Sequence, residues 1–477
     1  MVFRTKILII VLKSKADGRA GAPRVFFQKK PLSLSFVKRF LIIFCLIVLS
    51  ACSRLDITDV TPTGSLFDPV SFPEFHLHVS EAEWSRLLEA FDRDPDTQEF
   101  VWADLVFKQN GSTVNLSGIG LRLKGNTARR RPESDGRFHH AHFGLDFNHY
   151  EQDDAHAIGG VRRVDLKWFK DDATYAREIF CYDLFARFGV WTAARDVYCR
   201  LWIQVGDRQE AYFGVYGMLE HINERFIGSR SRFGGAGGNL WKCRSADLRS
   251  PDAVIGADDN QSWFQYELKT NKKTGFEPAK EQLQHFIRGL NSHSGDSFNE
   301  WLPTVMDVDL LLRSYAVNVA VGMWDDLWNN ANNYYLYFNT TDPQQYKVFF
   351  IPYDYDNTLG TSLHCGVQSD AGRQDPYRWG PADHPLMGKV LQNPVWRAAY
   401  RKYLQELCAG DCSEQAAVAR IKAWQEKIGP YVSNDTGEDM SIEDVPAGWG
   451  NHHEYRVVES GDNNFFRVKA AAVAAMK

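Results

Sequence analysis

The sequence lacks an excess of positive charge and several common catalytic motifs. Its 477 residues carry a formal net charge of -5 at pH 7, which disfavours a strong nucleic-acid binder because such proteins neutralise phosphates with Lys and Arg. No CxxC pair, HExxH helix or GxSxG elbow occurs, so zinc-ribbon and hydrolase functions have no support. The glycine run Gly234–Gly238 lacks the GK[ST] ending of a phosphate loop. What remains is an average globular composition, 44% hydrophobic and 24% charged.

The amino-terminal segment, residues 1–51, has the pattern of an export signal. Basic residues precede an unbroken apolar run, Phe40 to Leu49, which is too short to span a bilayer permanently. The small residues that follow lead into Cys52, and this ending resembles the bacterial lipoprotein signal, in which the cysteine is lipidated. We therefore expect an exported protein anchored through Cys52 to a bacterial membrane, at the cell envelope or surface. The residues upstream of Val37 do not fit such a signal, so we expect translation to start at Val37.

Cysteine is scarce in the remainder of the chain. Six cysteines remain after the signal and Cys52 are set aside, an even number that is compatible with an oxidising compartment. Cys408 and Cys412 could close a small local disulfide loop. The other four are equally compatible with free buried thiols, and the connectivity stays open.

Hydrophobic periodicity divides the exported part into a tether and two unlike halves. Residues 52–73 are rich in Thr, Pro, Asp and Ser and predict a tether. Residues 74–220 are rich in strands and residues 221–477 in helices, which predicts an α+β protein of two lobes. The predicted strands are 74–79, 100–107, 118–124, 142–147, 164–168, 197–205 and 211–220; the predicted helices begin at Ser80, at Asp172, and at residues 278, 298, 308, 393 and 412.

The densest group of polar and aromatic residues flanks a predicted hairpin. Its strands are Tyr334–Phe338 and Tyr346–Ile351, separated by a polar turn. If they pair around Asp342, then Asn333 lies near Pro352 and Asn330 near Tyr355. The loops at this end carry only oxygen ligands, which a hard cation such as Mg²⁺ prefers. The candidate metal ligands are Asn330, Asn333, Asp354 and Asp356, with Asp325 beside them.

The order of these residues is the one used by protein kinases. There, an Asp orients or deprotonates the acceptor hydroxyl, an Asn follows five residues later, and a further Asp with a nearby Gly holds metal after a hairpin. Asp325 and Asn330 have that spacing. Two departures exist, because no His-Arg precedes Asp325 and Gly360 follows Asp356 by four residues instead of two. A polar loop that only closes the hairpin is the alternative interpretation.

Candidate nucleotide-binding residues lie in the strand-rich half. Arg122 and Lys124 end a strand at a turn glycine, where two cations and free N–H groups can meet phosphate oxygens. Lys167 on a strand and Glu178 on the next helix can instead form the lysine–glutamate pair that positions phosphates in kinases. We favour Lys124 for the phosphate contact and keep Lys167 as the rival. Glu220 ends a strand at the junction of the two halves, where backbone groups can bind adenine, but it can equally be a surface carboxylate.

Five motifs together make the chain resemble the CotH kinase family, the spore-coat-protein-H-like atypical kinases. The resemblance spans roughly residues 70 to 475, and the motifs are Arg122–Thr127, Gly214–Glu220, Asn239–Lys242, Asp325–Tyr337 and Ile351–Asp356. It implies a kinase-like fold that uses ATP and Mg²⁺ (or Mn²⁺) to phosphorylate protein Ser or Thr. By the same matching, Asp325 is the catalytic Asp and the Asp354/Asp356 pair forms the metal site, with Asp356 favoured.

Two functions of different class remain compatible with the sequence. The first is an ATP-dependent protein kinase. Because the exported part of the chain is acidic, basic proteins are the expected acceptors. The second is a non-catalytic, surface-anchored binding or structural module that keeps the fold and a cation site. Export favours the second, because little ATP is met beyond the inner membrane. The intact set of Asp and Asn residues favours the first.

Overall fold

A computed structural model describes residues 66–151, 156–258, 264–273, 275–362 and 370–477 of the chain. The predicted export signal, Cys52, Cys365 and most of the predicted tether lie outside these residues. Within them, no helix has the length and apolar character needed to cross a membrane. Leu66 and Phe67, which the sequence places in the tether, are buried in a core. The folded body therefore begins before Glu74.

The first half of the chain closes a barrel of seven described strands. Their order is β1-β2-β3-β6-β7-β9-β8, and neighbours are antiparallel except for β8 and β1, whose parallel pairing closes the barrel. The sequence predicted a mostly antiparallel sheet but not its closure. The strands are β1 (Glu74–Val79), β2 (Val101–Gln109), β3 (Ser112–Lys124), β6 (His142–Asp146), β7 (Arg163–Lys167), β8 (Asp196–Val205) and β9 (Ala211–Glu220), with a separate small pair, β4 (Glu133–Ser134) and β5 (Arg137–Phe138).

Alternating side chains fill this barrel. Along β2, for example, Val101, Ala103, Leu105 and Phe107 are buried while their neighbours are more exposed, the period-2 pattern of a half-buried strand. Helix α1 (Glu81–Arg93) packs against this body through Trp84 and other apolar residues. It begins as predicted, because the Ser80 side chain accepts a hydrogen bond from the N–H of Glu83 at 3.2 Å.

The second half combines helices with a five-stranded sheet. The sheet order is β11-β12-β10-β13-β14, from β10 (Asn239–Cys243), β11 (Ile255–Gly256), β12 (Tyr266–Leu268), β13 (Tyr334–Phe338) and β14 (Val348–Pro352). Helix α2 (Arg177–Arg187) still belongs to the first half, between β7 and β8, and the helices of the second half are α3 (Glu224–Gly228), α4 (Phe276–Ser292), α5 (Gly295–Val305), α6 (Val308–Ala320), α7 (Met387–Val390), α8 (Pro394–Ala409), α9 (Glu414–Ile428) and α10 (Phe465–Ala474). The chain is thus a mixed α+β protein, as its periodicity predicts.

Helix α2 begins later than the sequence predicts. The expected start was Asp172, but the first helical residue is Arg177. The buried Asp172 carboxylate accepts hydrogen bonds from the N–H groups of Ala176 and Arg177 at 3.0 and 2.9 Å. Asp172 therefore lies before the helix and supports its start. Because the helix begins at Arg177, Glu178 lies in its first turn.

The cysteines within the described residues are free and buried: Cys181, Cys199, Cys243, Cys408 and Cys412. The loop that Cys408 and Cys412 could have closed is not formed, so that expectation is wrong. Both side chains pack in the apolar core of the second half. Burial raises the pKa of the Cys408 thiol to about 11, which keeps it protonated and unreactive at neutral pH.

Candidate active site

The predicted hairpin forms, with β13 and β14 paired antiparallel. Tyr334 lies opposite Pro352, which puts Asn333 and Tyr353 at the same end of the hairpin, as expected. Asn333 and Asp354 both adopt left-handed backbone conformations, with φ of 54° and 62°. Asn and Asp tolerate this conformation better than most residues. The two polar loops therefore meet at one end of the sheet.

Asp325 is held at this end by three asparagine side chains. Its carboxylate accepts hydrogen bonds from the Nδ2 groups of Asn330 at 2.6 Å, Asn333 at 2.9 Å and Asn332 at 3.1 Å. Burial raises the pKa of Asp325, although these donors oppose the shift. The amide nitrogens of Asn330 and Asn333 thus orient Asp325, and a metal-binding role for their oxygens stays a prediction.

The neighbouring Asp326 was not singled out from the sequence, yet it anchors the loop. It is 2% exposed and accepts hydrogen bonds from Asn318 Nδ2 at 2.6 Å and from the N–H of Asn329 at 2.7 Å. Asn318 in turn accepts a hydrogen bond from the Tyr355 hydroxyl at 2.8 Å. This network ties α6 to both polar loops. Asn318, a polar residue within a largely apolar helix pattern, was the sequence signal that could have identified this network.

Lys167 lies at the centre of the acidic group. Its Nζ is 2.6 Å from Glu178 Oε2, 2.7 Å from Asp354 Oδ1 and 3.6 Å from Asp356 Oδ2. The N–H of Tyr355 also donates to Glu178 Oε1 at 3.2 Å. Lys167 on β7 and Glu178 on α2 therefore form the predicted strand-to-helix pair, and this pair is joined to the loop after β14.

The charges around Lys167 do not balance. Burial, followed by the neighbouring carboxylates, raises the pKa of Asp356 to about 8, even though Lys167 opposes the shift. Burial also raises the pKa of Glu178 to about 7. Asp354 is the exception, because burial would raise its pKa but Lys167, together with Lys242 and Lys124, outweighs burial and lowers it. Three carboxylates share one ammonium, and a further cation would relieve the repulsion among them.

The donor chemistry fits a magnesium ion held together with a ligand. No group of three His, Cys, Asp or Glu side chains within the described residues is arranged to hold a metal by itself. Mg²⁺ in kinase-type sites is commonly bound by one or two carboxylates, with substrate phosphates and water completing its shell. Asp354 and Asp356 supply two such carboxylates beside an excess of negative charge.

A small pocket opens beside the lysine–glutamate pair. It is lined in part by Lys167, Glu178, Asp356, Asp196 and Gly217. A side chain at Gly217 would approach the Asp196 carboxylate, with Cβ 3.2 Å from Oδ1. Burial raises the pKa of Asp196 to about 7. Asp196 was not predicted from the sequence, because its position at the start of β8 resembles an exposed strand end.

Lys124, the residue favoured for phosphate contact, is paired elsewhere. Its Nζ forms an ion pair with Asp165 on β7, and Asp165 is also 3.0 Å from Nδ1 of His221. Arg122 donates to Gln98 Oε1 at 2.5 Å and lies over the Phe100 ring. The structure thus gives the glutamate pair to Lys167 and a different carboxylate to Lys124.

Glu220 is not the surface carboxylate that one interpretation expected. It is 3% exposed and bonds to Arg195 and Arg230, each with a shortest contact of 2.7 Å. Burial favours the neutral acid, but the two arginines outweigh it and lower the pKa of Glu220 to about 2. Its carboxylate therefore fixes the end of β9, and its N–H donates to the carbonyl oxygen of Arg195 at 2.8 Å.

Comparison with known proteins identifies the family. A model described as CotH kinase protein matches residues 121–460, more than half of the chain. Inner spore coat protein H of Bacillus subtilis is 24% identical over 285 residues, which cover 60% of this chain and 72% of that protein. Invasin CotH7 of Rhizopus delemar is 28% identical over 171 residues, which cover 35% of this chain and 28% of that protein. The chain therefore belongs to the CotH kinase protein family.

Proposed function

We propose that this chain is a two-lobed, kinase-like enzyme that transfers the γ-phosphoryl group of ATP to Ser or Thr of a protein acceptor. Residues 74–220 would form the first lobe and residues 221–477 the second. The observation that carries the proposal is the position of Lys167, which contacts Glu178 and Asp354 at 2.6 and 2.7 Å. A strand lysine shared between a helix glutamate and an aspartate after a hairpin is the arrangement that kinases use to place ATP.

Each residue of the site has a role in this reaction. Asp325 accepts the proton of the acceptor hydroxyl. As it does so, the hydroxyl oxygen bonds to the γ-phosphorus, and the bond from the γ-phosphorus to the bridging oxygen of ADP breaks. Burial raises the pKa of Asp325, which makes it a stronger base than an exposed Asp. Asp354 and Asp356 would hold Mg²⁺ or Mn²⁺, which supplies charge neutralisation at the phosphates when bound. Lys167 holds phosphate oxygens, and Glu178 positions Lys167.

The remaining predicted contacts extend this proposal. Arg122 and Lys124 end β3 on the barrel, where they can attract phosphate, and the backbone of the segment that joins the two halves at Glu220 would meet adenine. Export and anchoring through Cys52 would place the enzyme at a bacterial envelope or surface, with basic proteins as acceptors. These assignments rest on the sequence and on the family.

The test is phosphoryl transfer by the full-length chain. ATP labelled at the γ-phosphate is incubated with Mg²⁺ or Mn²⁺ and a general protein acceptor. We expect labelling that falls by about 100-fold or more in Asp325→Ala and in Asp356→Ala, because each removes a group that acts on the reacting atoms. Asp342→Asn is the matched control. Asp342 lies at the far tip of the same hairpin and is exposed, so its loss should leave labelling unchanged.

The same experiment separates the enzyme from a non-catalytic surface module. One relative, Invasin CotH7 of Rhizopus delemar, is named as an invasin, and a binding role is therefore the alternative to be tested. No labelling by the wild-type chain with either metal, or equal labelling by both Asp variants, would remove the kinase proposal.

A further inference from the structure

Lys242 is a cation of the second sheet whose role the site described above does not explain. It lies on β10, opposite Glu267 of β12 and Tyr335 of β13. Its Nζ lies over the Tyr353 ring, 4.9 Å from the ring centroid, and Tyr353 directly precedes Asp354. The ammonium of Lys242 is therefore held beside the loop that carries the acidic pair.

The positive charges around Lys242 exceed the negative ones. Arg244 directly follows β10 and Lys269 directly follows β12, and both are paired with the single carboxylate of Glu267, at 2.9 and 2.6 Å. Among the residues that the structure describes, Lys242 has no ion pair with a carboxylate. Lys124 and Lys167, by contrast, each have an acidic partner.

Lysines from the barrel and from the second sheet lie beside Asp354. Lys167 Nζ on β7 is 2.7 Å from Asp354 Oδ1, and Lys242 Nζ on β10 lies over the ring of the preceding residue, Tyr353. Lys242 is also close enough to Lys124 for the two ammonium groups to repel each other. Lys167 of the barrel and Lys242 of the second sheet thus lie beside the same loop, where a polyphosphate chain bound together with a metal ion would meet both.

We propose that Lys242 is a phosphate-binding residue, which holds the β- and γ-phosphates of the nucleotide from the second sheet, opposite Lys167 and Lys124. This inference rests on the proposed function, since it assigns the anion to the polyphosphate chain of ATP. The position beside Asp354 favours that anion over an acidic acceptor peptide, because Asp354 belongs to the set that would bind metal and phosphate.

The surroundings of Lys242 are consistent with this role. Burial, with Arg244, Lys269 and Lys124, lowers the pKa of Lys242 to about 7, and the Glu267 carboxylate only partly opposes the shift. Tyr353 offers its ring face and no full negative charge. A lysine kept in such surroundings costs stability, and a group that costs stability in the free protein is typical of a binding site.

Nucleotide affinity and thermal stability of the full-length chain test the proposal together. In Lys242→Met, we expect the Kd of ATP with Mg²⁺ to rise about tenfold or more, because a charged contact to phosphate is lost. AMP, which lacks the β- and γ-phosphates, should bind unchanged. The Tm should stay the same or rise, since an unmatched cation is replaced by an apolar chain of similar length. Lys242→Arg should restore most of the ATP affinity.

Lys273→Met removes an exposed lysine from the turn after β12 and should change neither ATP affinity nor Tm. Unchanged ATP affinity in Lys242→Met, an equal loss for AMP and ATP, or a raised KM for the protein acceptor alone would overturn the role of Lys242 and leave the kinase proposal standing. Failure of the wild-type chain to bind ATP with Mg²⁺ or Mn²⁺ would overturn both.

Discussion

Glu220 shows how a single buried side chain ties the barrel to the segment that follows it. Because Arg230 and Arg195 lower its pKa to about 2 from a usual 4.5, its ionised form stabilises the fold. That stabilisation is complete above pH 4.5 and is lost as the pH falls towards 2. In Glu220→Gln we expect the free energy of unfolding to fall by about 3 kcal/mol at pH 7 and by about 1 kcal/mol at pH 3.

Urea unfolding at the two pH values measures this difference. Glu224→Gln is the control, because Glu224 is an exposed carboxylate on the adjacent α3 and its loss should cost less than about 0.5 kcal/mol at either pH. A destabilisation of Glu220→Gln that is equal at pH 7 and pH 3 would show that the arginine pairs are not its cause.

Residue spacing predicted which side chains gather at the site but not how they pair. Asp325, Asp354 and Asp356 are brought to one end of the hairpin because hairpin pairing is local and can be deduced from the chain. The choice between Lys124 and Lys167 depends on which strand lies beside α2 and which carboxylate each lysine meets. Those contacts are set by barrel closure, and the spacing of residues along a strand carries no information about them.

The pairing of β10 with β13 depends on one glycine directly before β10. A Cβ atom at Gly238 would lie 1.8 Å from the carbonyl oxygen of Phe338, which is backbone and cannot move aside. Gly238→Ala should therefore push β10 away from β13. We expect a loss of about 2–3 kcal/mol in the free energy of unfolding, measured by chemical denaturation.

The preceding glycine offers a matched control. A Cβ atom at Gly237 would have no atom within 4 Å, so Gly237→Ala should change stability by less than about 0.5 kcal/mol. Since β10 also carries Lys242, Gly238→Ala should weaken ATP binding as well. Equal stability of the two variants would mean that β10 and β13 can separate without cost.

Strands and helices were largely predictable because each has a local period, whereas their partners were not. β1, β9 and β13 have the bounds that alternation predicts. The parallel pairing of β1 with β8 joins Glu74 to Arg200, residues far apart in the chain. Alternation shows which face of a strand is buried but not which strand lies beside it. The closure of the barrel could therefore not be predicted from the sequence.

Across the whole described body, one small apolar cluster joins the barrel to the carboxy-terminal helices. It contains Tyr198 of β8, Val215 of β9, Ile179 of α2, and Ile428 at the end of α9. Ile428 is completely buried. The segment after α9 continues along the barrel, where Glu438 accepts hydrogen bonds from Arg130 and from the N–H of His140 at 3.0 and 2.9 Å. The two halves therefore share both apolar and polar contacts.

This shared cluster predicts that the two halves unfold together. Ile428→Ala should lower the free energy of unfolding by about 2–5 kcal/mol, because it leaves a cavity between barrel and helices. Tryptophan fluorescence and far-UV circular dichroism should report one coincident transition that shifts as a whole. Val395→Ala on α8, where the side chain is 73% exposed, should shift neither signal. Two separate transitions, with only the helical one displaced, would mean that the barrel is stable without the carboxy-terminal helices.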